Sequence, residues 1–200
     1  MRRFIYLISP KKITKKFYYT LDRLLLEKNV KFFQLRLKNK SLDSLTKISK
    51  KIKKITLKHK VKFIINDDFS FASKIKADGC HIGQQDGSII TARKKLKNKI
   101  LGVTCHGSKL LAKTAVKNKA DYIAFGSFFK SRLKPKAKKA NLKVLKWAKK
   151  ELKKPIVVIG GINNLNYKKL INSGANYIAL SSYIWDNPKL KPEDAIKKFK

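Results

Sequence analysis

Carboxylates are scarce in this chain: 12 Asp and Glu stand against 50 Lys and Arg in 200 residues, for a formal net charge of +38. Arginine is scarce as well. Arg2, Arg3, Arg23, Arg36, Arg93 and Arg132 are the whole set, so almost all of the positive charge is lysine. Proteins that read nucleic acid lean on the planar arginine fork, and here the lysines are spread along every helical segment rather than gathered in one arm. This argues for solvated helix faces and against a nucleic-acid partner. Cysteine is limited to Cys80 and Cys105, without metal-ligand spacing. That excludes a disulfide framework and leads us to expect free thiols in a reducing cytoplasm. Long apolar runs are missing: in "MRRFIYLISP" only Phe4 to Ser9 separate the arginines from Pro10. This is too short for a secretory core or a membrane span, so no membrane attachment is expected. No Gly/Ser-rich linker or low-complexity tail breaks the chain, and residues 1–200 read as a single domain.

What is present is a repeated alternation. Short β-branched and aromatic runs occur at 4–9, 32–37, 62–66, 79–83, 100–104, 122–127, 156–161 and 177–182. Each is nearly all apolar and bounded by polar or turn residues, as strands buried on both faces are. Lysine-rich segments with apolar residues at helical spacing lie between them. In 41–58, Leu42, Leu45, Ile48, Ile52 and Ile55 step by three and four, behind Ser41 as a helix cap. Alternating strands and helices predict a parallel sheet with right-handed crossovers, and eight units predict a closed (β/α)8 TIM barrel of α/β class. An open doubly wound sheet is the competing arrangement.

In such a barrel the working groups stand where strands end and the following loops begin. Applied here, that rule selects Gln34, Arg36 and Lys38 after strand 2, with the three alternating on one face, and Asn66, Asp67 and Asp68 after strand 3. It goes on to Gln84, Gln85 and Asp86 after strand 4, and Thr104, Cys105 and His106 after strand 5. Lys130, Ser131, Arg132 and Lys134 follow strand 6, Gly160, Gly161 and Asn163 follow strand 7, and Ser181 and Ser182 follow strand 8. Four of the few acids, Asp67, Asp68, Asp78 and Asp86, fall between 63 and 86. Asp67 and Asp86 reach one rim from neighbouring strands, where carboxylate oxygens suit Mg²⁺. Cations from strands 2 and 6 face the same opening, which reads as a site for a metal-bound polyphosphate. The loops after strands 7 and 8 are a common barrel site for a phosphate monoester. Asp78 reads as a turn residue, Asp68 as either a ligand or a loop acid, His81 as a core histidine and His59 as a surface one.

These pieces line up with a known family. "QLRLK" (34–38), "INDD" (65–68), "ADGCHIGQQD" (77–86), "GVTCH" (102–106), "ADYIAFGSFFKSRLK" (120–134), "IGGI" (159–162) and "SSYI" (181–184) follow in order the motifs of the thiamine phosphate synthase and thiazole tautomerase family. The chain resembles that family over essentially its whole length, with the third stretch the most specific, and lies closer to the synthases.

The resemblance implies a Mg²⁺-dependent condensation in thiamine biosynthesis. A hydroxymethylpyrimidine diphosphate would lose pyrophosphate to give a pyrimidine cation, captured by the ring nitrogen of a thiazole phosphate. Asp67 and Asp86 would hold Mg²⁺, and Arg36, Lys38, Asn66, Thr104 and Lys134 the diphosphate. Gln34 would hold the pyrimidine, and Ser131, Gly161, Ser181 and Ser182 the thiazole phosphate. Arg36, Lys38 and Lys134 are the expected catalytic cations, and the partners expected are small-molecule substrates. The chain departs from the family pattern at Leu37, Asp68, Ser127, Lys130 and Leu133, which replace Glu, Arg, Pro, Pro and Thr. Two alternatives stand beside this reading: a tautomerase using His106 as acid and base, and an inactive barrel binding polyanions through its lysines.

Overall fold

A computed structural model describes residues 4–129 and 140–200. Eight parallel strands close into a barrel in chain order: β1 (Ile5–Ile8), β2 (Val30–Leu35), β3 (Lys62–Asn66), β4 (Gly79–Ile82), β5 (Ile100–Thr104), β6 (Tyr122–Gly126), β7 (Ile156–Ile159) and β8 (Tyr177–Leu180). Around it run α1 (Lys15–Leu24), α2 (Leu42–Lys58), α3 (Phe69–Lys74), α4 (Ile89–Leu96), α5 (Lys109–Lys117), α6 (Leu142–Glu151), α7 (Tyr167–Asn172), α8 (Ser182–Trp185) and α9 (Pro192–Ile196). The expected (β/α)8 architecture is the one found. Strand β2 starts earlier than its apolar run suggests and stops at Leu35, so Arg36 and Lys38 belong to the loop that follows rather than to an inward strand face.

Alternation along each strand makes two cores. Outward residues such as Leu7, Phe33, Phe63, Ile65, Ile82 and Val103 pack under the helices. Inward residues Tyr6, Ile8, Phe32, Ile64, Tyr122, Ala124, Val157 and Ala179 fill the barrel itself. Period-two strands require this division. Space inside is tight: a Cβ on Gly102 would sit 1.9 Å from the Tyr122 ring, so only glycine lets that tyrosine lie across β5. Gly102→Ala should therefore lower stability by about 1–3 kcal/mol or more, the usual cost of overpacking. Denaturant unfolding would check this, and a loss well below 1 kcal/mol would mean that Tyr122 repacks freely.

Helix starts follow their caps. Ser41 accepts from the Ser44 amide, Asp68 from Phe71, Ser108 from Leu111 and Asn141 from Lys143. In α2 the buried face runs through Ser49, Ile52 and Thr56, with Leu42 half exposed. The apolar stripe read from the sequence is thus rotated toward two small hydroxyl residues where the helix meets the barrel. His59 is not a surface residue. Its ring is largely covered, and its Nε2 lies 2.7 Å from Asp22, which also accepts from Lys58, tying the end of α2 to α1.

At the bottom of the barrel one device recurs. Asp78, Asp121 and Asn176, each just before a strand, accept from the amides of Phe63, Leu101 and Ile156 at the base of the preceding strand. Asp78 thus has the turn role read from the sequence, and it stands at the opposite end of the barrel from the mouth.

Candidate active site

The mouth lies at the carboxyl ends of the strands. After β3 the chain turns sharply: Asp67 has φ +67 and its amide donates to the His81 carbonyl at 2.7 Å. A non-glycine residue in this left-handed region is uncommon and costly, though aspartate is among those that tolerate it best. That turn brings the Asp67 carboxyl back against Asp86. After β4, Asp86 Oδ2 accepts from the Gly83 amide at 2.7 Å, which closes the "GQQD" loop and presents the carboxylate to its neighbour. Asp68, left open by the sequence, is the cap of α3.

The two carboxyls interact directly. Burial, and then a hydrogen bond to Asp86 and its charge, push Asp67 up from the usual 3.8 to about 6, while Arg36 and Lys38 pull it back. Two acids thus stand together, with two cations from the β2 loop near enough to act on one of them. Paired carboxylate oxygens suit a hard divalent cation, which would relieve their repulsion. Among the described residues no third His, Cys, Asp or Glu joins them. That fits Mg²⁺, which is commonly held by one or two carboxylates with substrate phosphate oxygens filling the other positions.

The shift has a consequence for stability. A carboxyl raised in the folded state contributes stability that is fully present below the unfolded value near 4 and is lost as pH rises through about 6. Metal-free protein should therefore lose stability relative to Asp67→Asn between pH 5 and 7, by on the order of 1 kcal/mol after allowing for solvent screening of this half-exposed group. Parallel thermal denaturation of the two proteins in chelator would check it. A constant difference across that range would contradict the pairing.

The remaining expected residues divide. Arg36 is half buried, its backbone held from both sides by Ser9, whose Oγ accepts from the Arg36 amide at 2.9 Å and donates to the Arg36 carbonyl at 3.3 Å. Lys38 is exposed at the mouth, and Asn66 ends β3. Gln34 is 2% exposed inside the barrel, where its Nε2 donates to the Tyr6 hydroxyl at 3.0 Å. Thr104 ends β5 with its Oγ1 2.7 Å from His81 Nε2. Across the mouth, Gly160 and Gly161 both have positive φ, +105 and +62, and a Cβ on Gly160 would strike Ser127. Ser181 Oγ donates to the Ser9 carbonyl, and Ser182 begins α8. Ser131 and Lys134 lie outside the described residues, as do Lys130, Arg132 and Leu133.

His81 is a core histidine. It is buried between Tyr122 and Thr104 and is pushed down to about 4 by burial, hence neutral near pH 7. Tyr6 and Tyr122 were missed by sequence reasoning; the available signal was a tyrosine at an inward strand position, whose buried hydroxyl needs a partner. His106 is exposed, with φ +51, and its ring has no partner among the described residues. Cys80 and Cys105 are free and buried; burial raises both thiols, Cys105 to about 12, so neither is an activated nucleophile.

Residues 5–184 match the family model described as thiamine monophosphate synthase. The chain is 54% identical over 200 residues to the thiamine-phosphate synthase of Pelagibacter ubique, covering all of this chain and 97% of that one. It is 36% identical to the thiamine-phosphate synthase of Clostridium acetobutylicum, covering 97% and 95%. Among solved structures, the thiamine phosphate pyrophosphorylase of Pyrococcus furiosus superposes with a TM-score of 0.87 at 26% identity, covering 98% of this chain and 93% of that one.

Proposed function

The chain belongs to the thiamine monophosphate synthase family, and from that premise we propose how its own residues carry out the condensation that makes thiamine phosphate. It is a transferase acting on small-molecule substrates. The observation that carries the site assignment is the contact between Asp67 and Asp86 with Arg36 and Lys38 acting on it.

Asp67 and Asp86 would hold Mg²⁺ at the mouth. When bound there, the ion would neutralise charge on the diphosphate. Arg36 reaches the same diphosphate from a backbone clamped by Ser9, and Lys38 from the outer edge of the β2 loop. Lys134, Asn66 and Thr104 add a charge and hydrogen bonds. The bond between the pyrimidine methylene and the diphosphate oxygen breaks first, and its electron pair leaves with pyrophosphate. Charge therefore gathers on the leaving group, and fixed cations there stabilise the transition state more than the ground state. Gln34 orients the pyrimidine at the floor of the mouth. Gly161, Ser181, Ser182 and Ser131 would seat the thiazole phosphate on the far side. The thiazole nitrogen forms the new bond with its own lone pair, so no general base is required. Two unpaired thiols suit a reducing compartment, and we assign the enzyme to the cytoplasm.

Purified protein should release pyrophosphate from hydroxymethylpyrimidine diphosphate only with Mg²⁺, and only slowly unless a thiazole phosphate is present. No thiamine phosphate from both substrates with Mg²⁺ would remove the synthase reading.

A further inference from the structure

A polar chain runs through the otherwise apolar centre of the barrel. Gln34 Nε2 lies 3.0 Å from the Tyr6 hydroxyl, Tyr6 2.7 Å from the Tyr122 hydroxyl, Tyr122 2.9 Å from His81 Nδ1, and His81 Nε2 2.7 Å from Thr104 Oγ1. Five residues from five strands form one unbroken line, and both ends are groups assigned above to substrate. The three in the middle are assigned to none.

Counting protons gives this line a direction. An amide nitrogen only donates, a phenol has one proton, and a neutral imidazole has one N–H and one lone pair. With Gln34 Nε2 donating to Tyr6, the Tyr6 proton goes to Tyr122 and the Tyr122 proton to His81 Nδ1. His81 is then the Nε2–H tautomer and donates to Thr104 Oγ1. The Thr104 proton is left over for the mouth, and among the described residues nothing takes it. Turning the Gln34 amide over reverses every link. Its oxygen then accepts from Tyr6, His81 carries its proton on Nδ1, and the Thr104 proton is spent on His81 Nε2. Mixed arrangements strand a buried donor without a partner, which is unfavourable.

We infer that Tyr6, Tyr122 and His81 are positioning residues that couple the amide orientation of Gln34 to the donor character of the Thr104 hydroxyl. A diphosphate only accepts hydrogen bonds, so Thr104 serves it in one polarity and opposes it in the other. In the serving polarity Gln34 keeps its carbonyl oxygen for the second end of the same substrate. The two ends of one ligand thus select the same state of the chain. No bond to carbon changes; between the two polarities the hydroxyl protons reorient and the single imidazole proton moves from one ring nitrogen to the other, each group keeping the same number of protons. This inference rests on the synthase reading for what the ends bind.

The test is the tautomer of His81, read by NMR of ¹⁵N-histidine-labelled protein with Mg²⁺ and inorganic pyrophosphate. Wild-type protein should show Nε2–H. In Gln34→Glu, at a pH where the introduced carboxylate is ionised, position 34 can only accept, so the proton should move to Nδ1, although Gln34 and His81 are joined only through Tyr6 and Tyr122. In a Tyr122→Phe background the same change at residue 34 should leave the His81 signals in place. An Nδ1–H wild-type protein, or a tautomer indifferent to Gln34→Glu, overturns the coupling, and the wild-type spectrum decides the matter even if the variant fails to fold. A failed two-substrate assay alongside the expected tautomers would remove the synthase reading and leave the coupling standing.

Discussion

Asp86→Asn and Asp67→Asn should each lower turnover by about two to three orders of magnitude while the barrel still melts as a folded protein. A unit charge about 4 Å from its partner is worth about 4 kcal/mol at an effective dielectric of 20, close to a thousandfold in rate. Asparagine is the right probe because it removes charge and little else. At position 86 it keeps an oxygen for the Gly83 amide that closes the β4 loop. At position 67 it tolerates the left-handed backbone, φ +67, where alanine would add strain of its own. Turnover at saturating substrates and Mg²⁺, with a thermal melt of each variant, separates chemistry from folding. Unchanged turnover in either variant would mean the metal is held elsewhere.

Arg36→Met should cost a similar hundredfold to thousandfold in turnover, and more in turnover than in substrate affinity. The guanidinium projects from a backbone that Ser9 holds on both sides, and its charge already acts on Asp67 without substrate. A preorganised cation is most effective where leaving-group charge develops. Lys38→Met should cost less, about tenfold, because Lys38 is exposed and its charge is screened by water. Arg36 also pulls the Asp67 pKa down. Its removal should raise that value further and move the acid side of the pH–rate profile to higher pH. Steady-state kinetics across pH 5–8 check both effects, and a loss under tenfold with an unmoved profile would take Arg36 out of the site.

Much of this was legible in the residues because barrel strands announce themselves locally. All eight apolar runs became strands, and Ser41 and the helix behind it stand where the cap signal put them. The strand-end rule selected Asp67 and Asp86 before any geometry was known, since neighbouring parallel strands deliver their ends to one rim. Other features have no local signal. The end of β2 at Leu35 is set by pairing with β3, whose partner residue is Ile65, and not by the apolar run that continues to Leu37. His59 looked like one more member of a lysine-rich helix, and only the packing of α1 beside α2 covers it. The line from Gln34 to Thr104 joins positions 6, 34, 81, 104 and 122, which share nothing in sequence except inward-facing places on five strands.

The central claim is that one mouth gathers a divalent cation and a diphosphate between paired carboxylates and fixed positive charge. Calorimetric titration of the whole protein with pyrophosphate, with and without Mg²⁺, tests it most directly. Binding should tighten at least about tenfold with Mg²⁺, a gain of about 1.4 kcal/mol, and Asp67→Asn and Asp86→Asn should abolish that gain. Equal affinity with and without the ion, or a gain that survives both substitutions, would contradict the account.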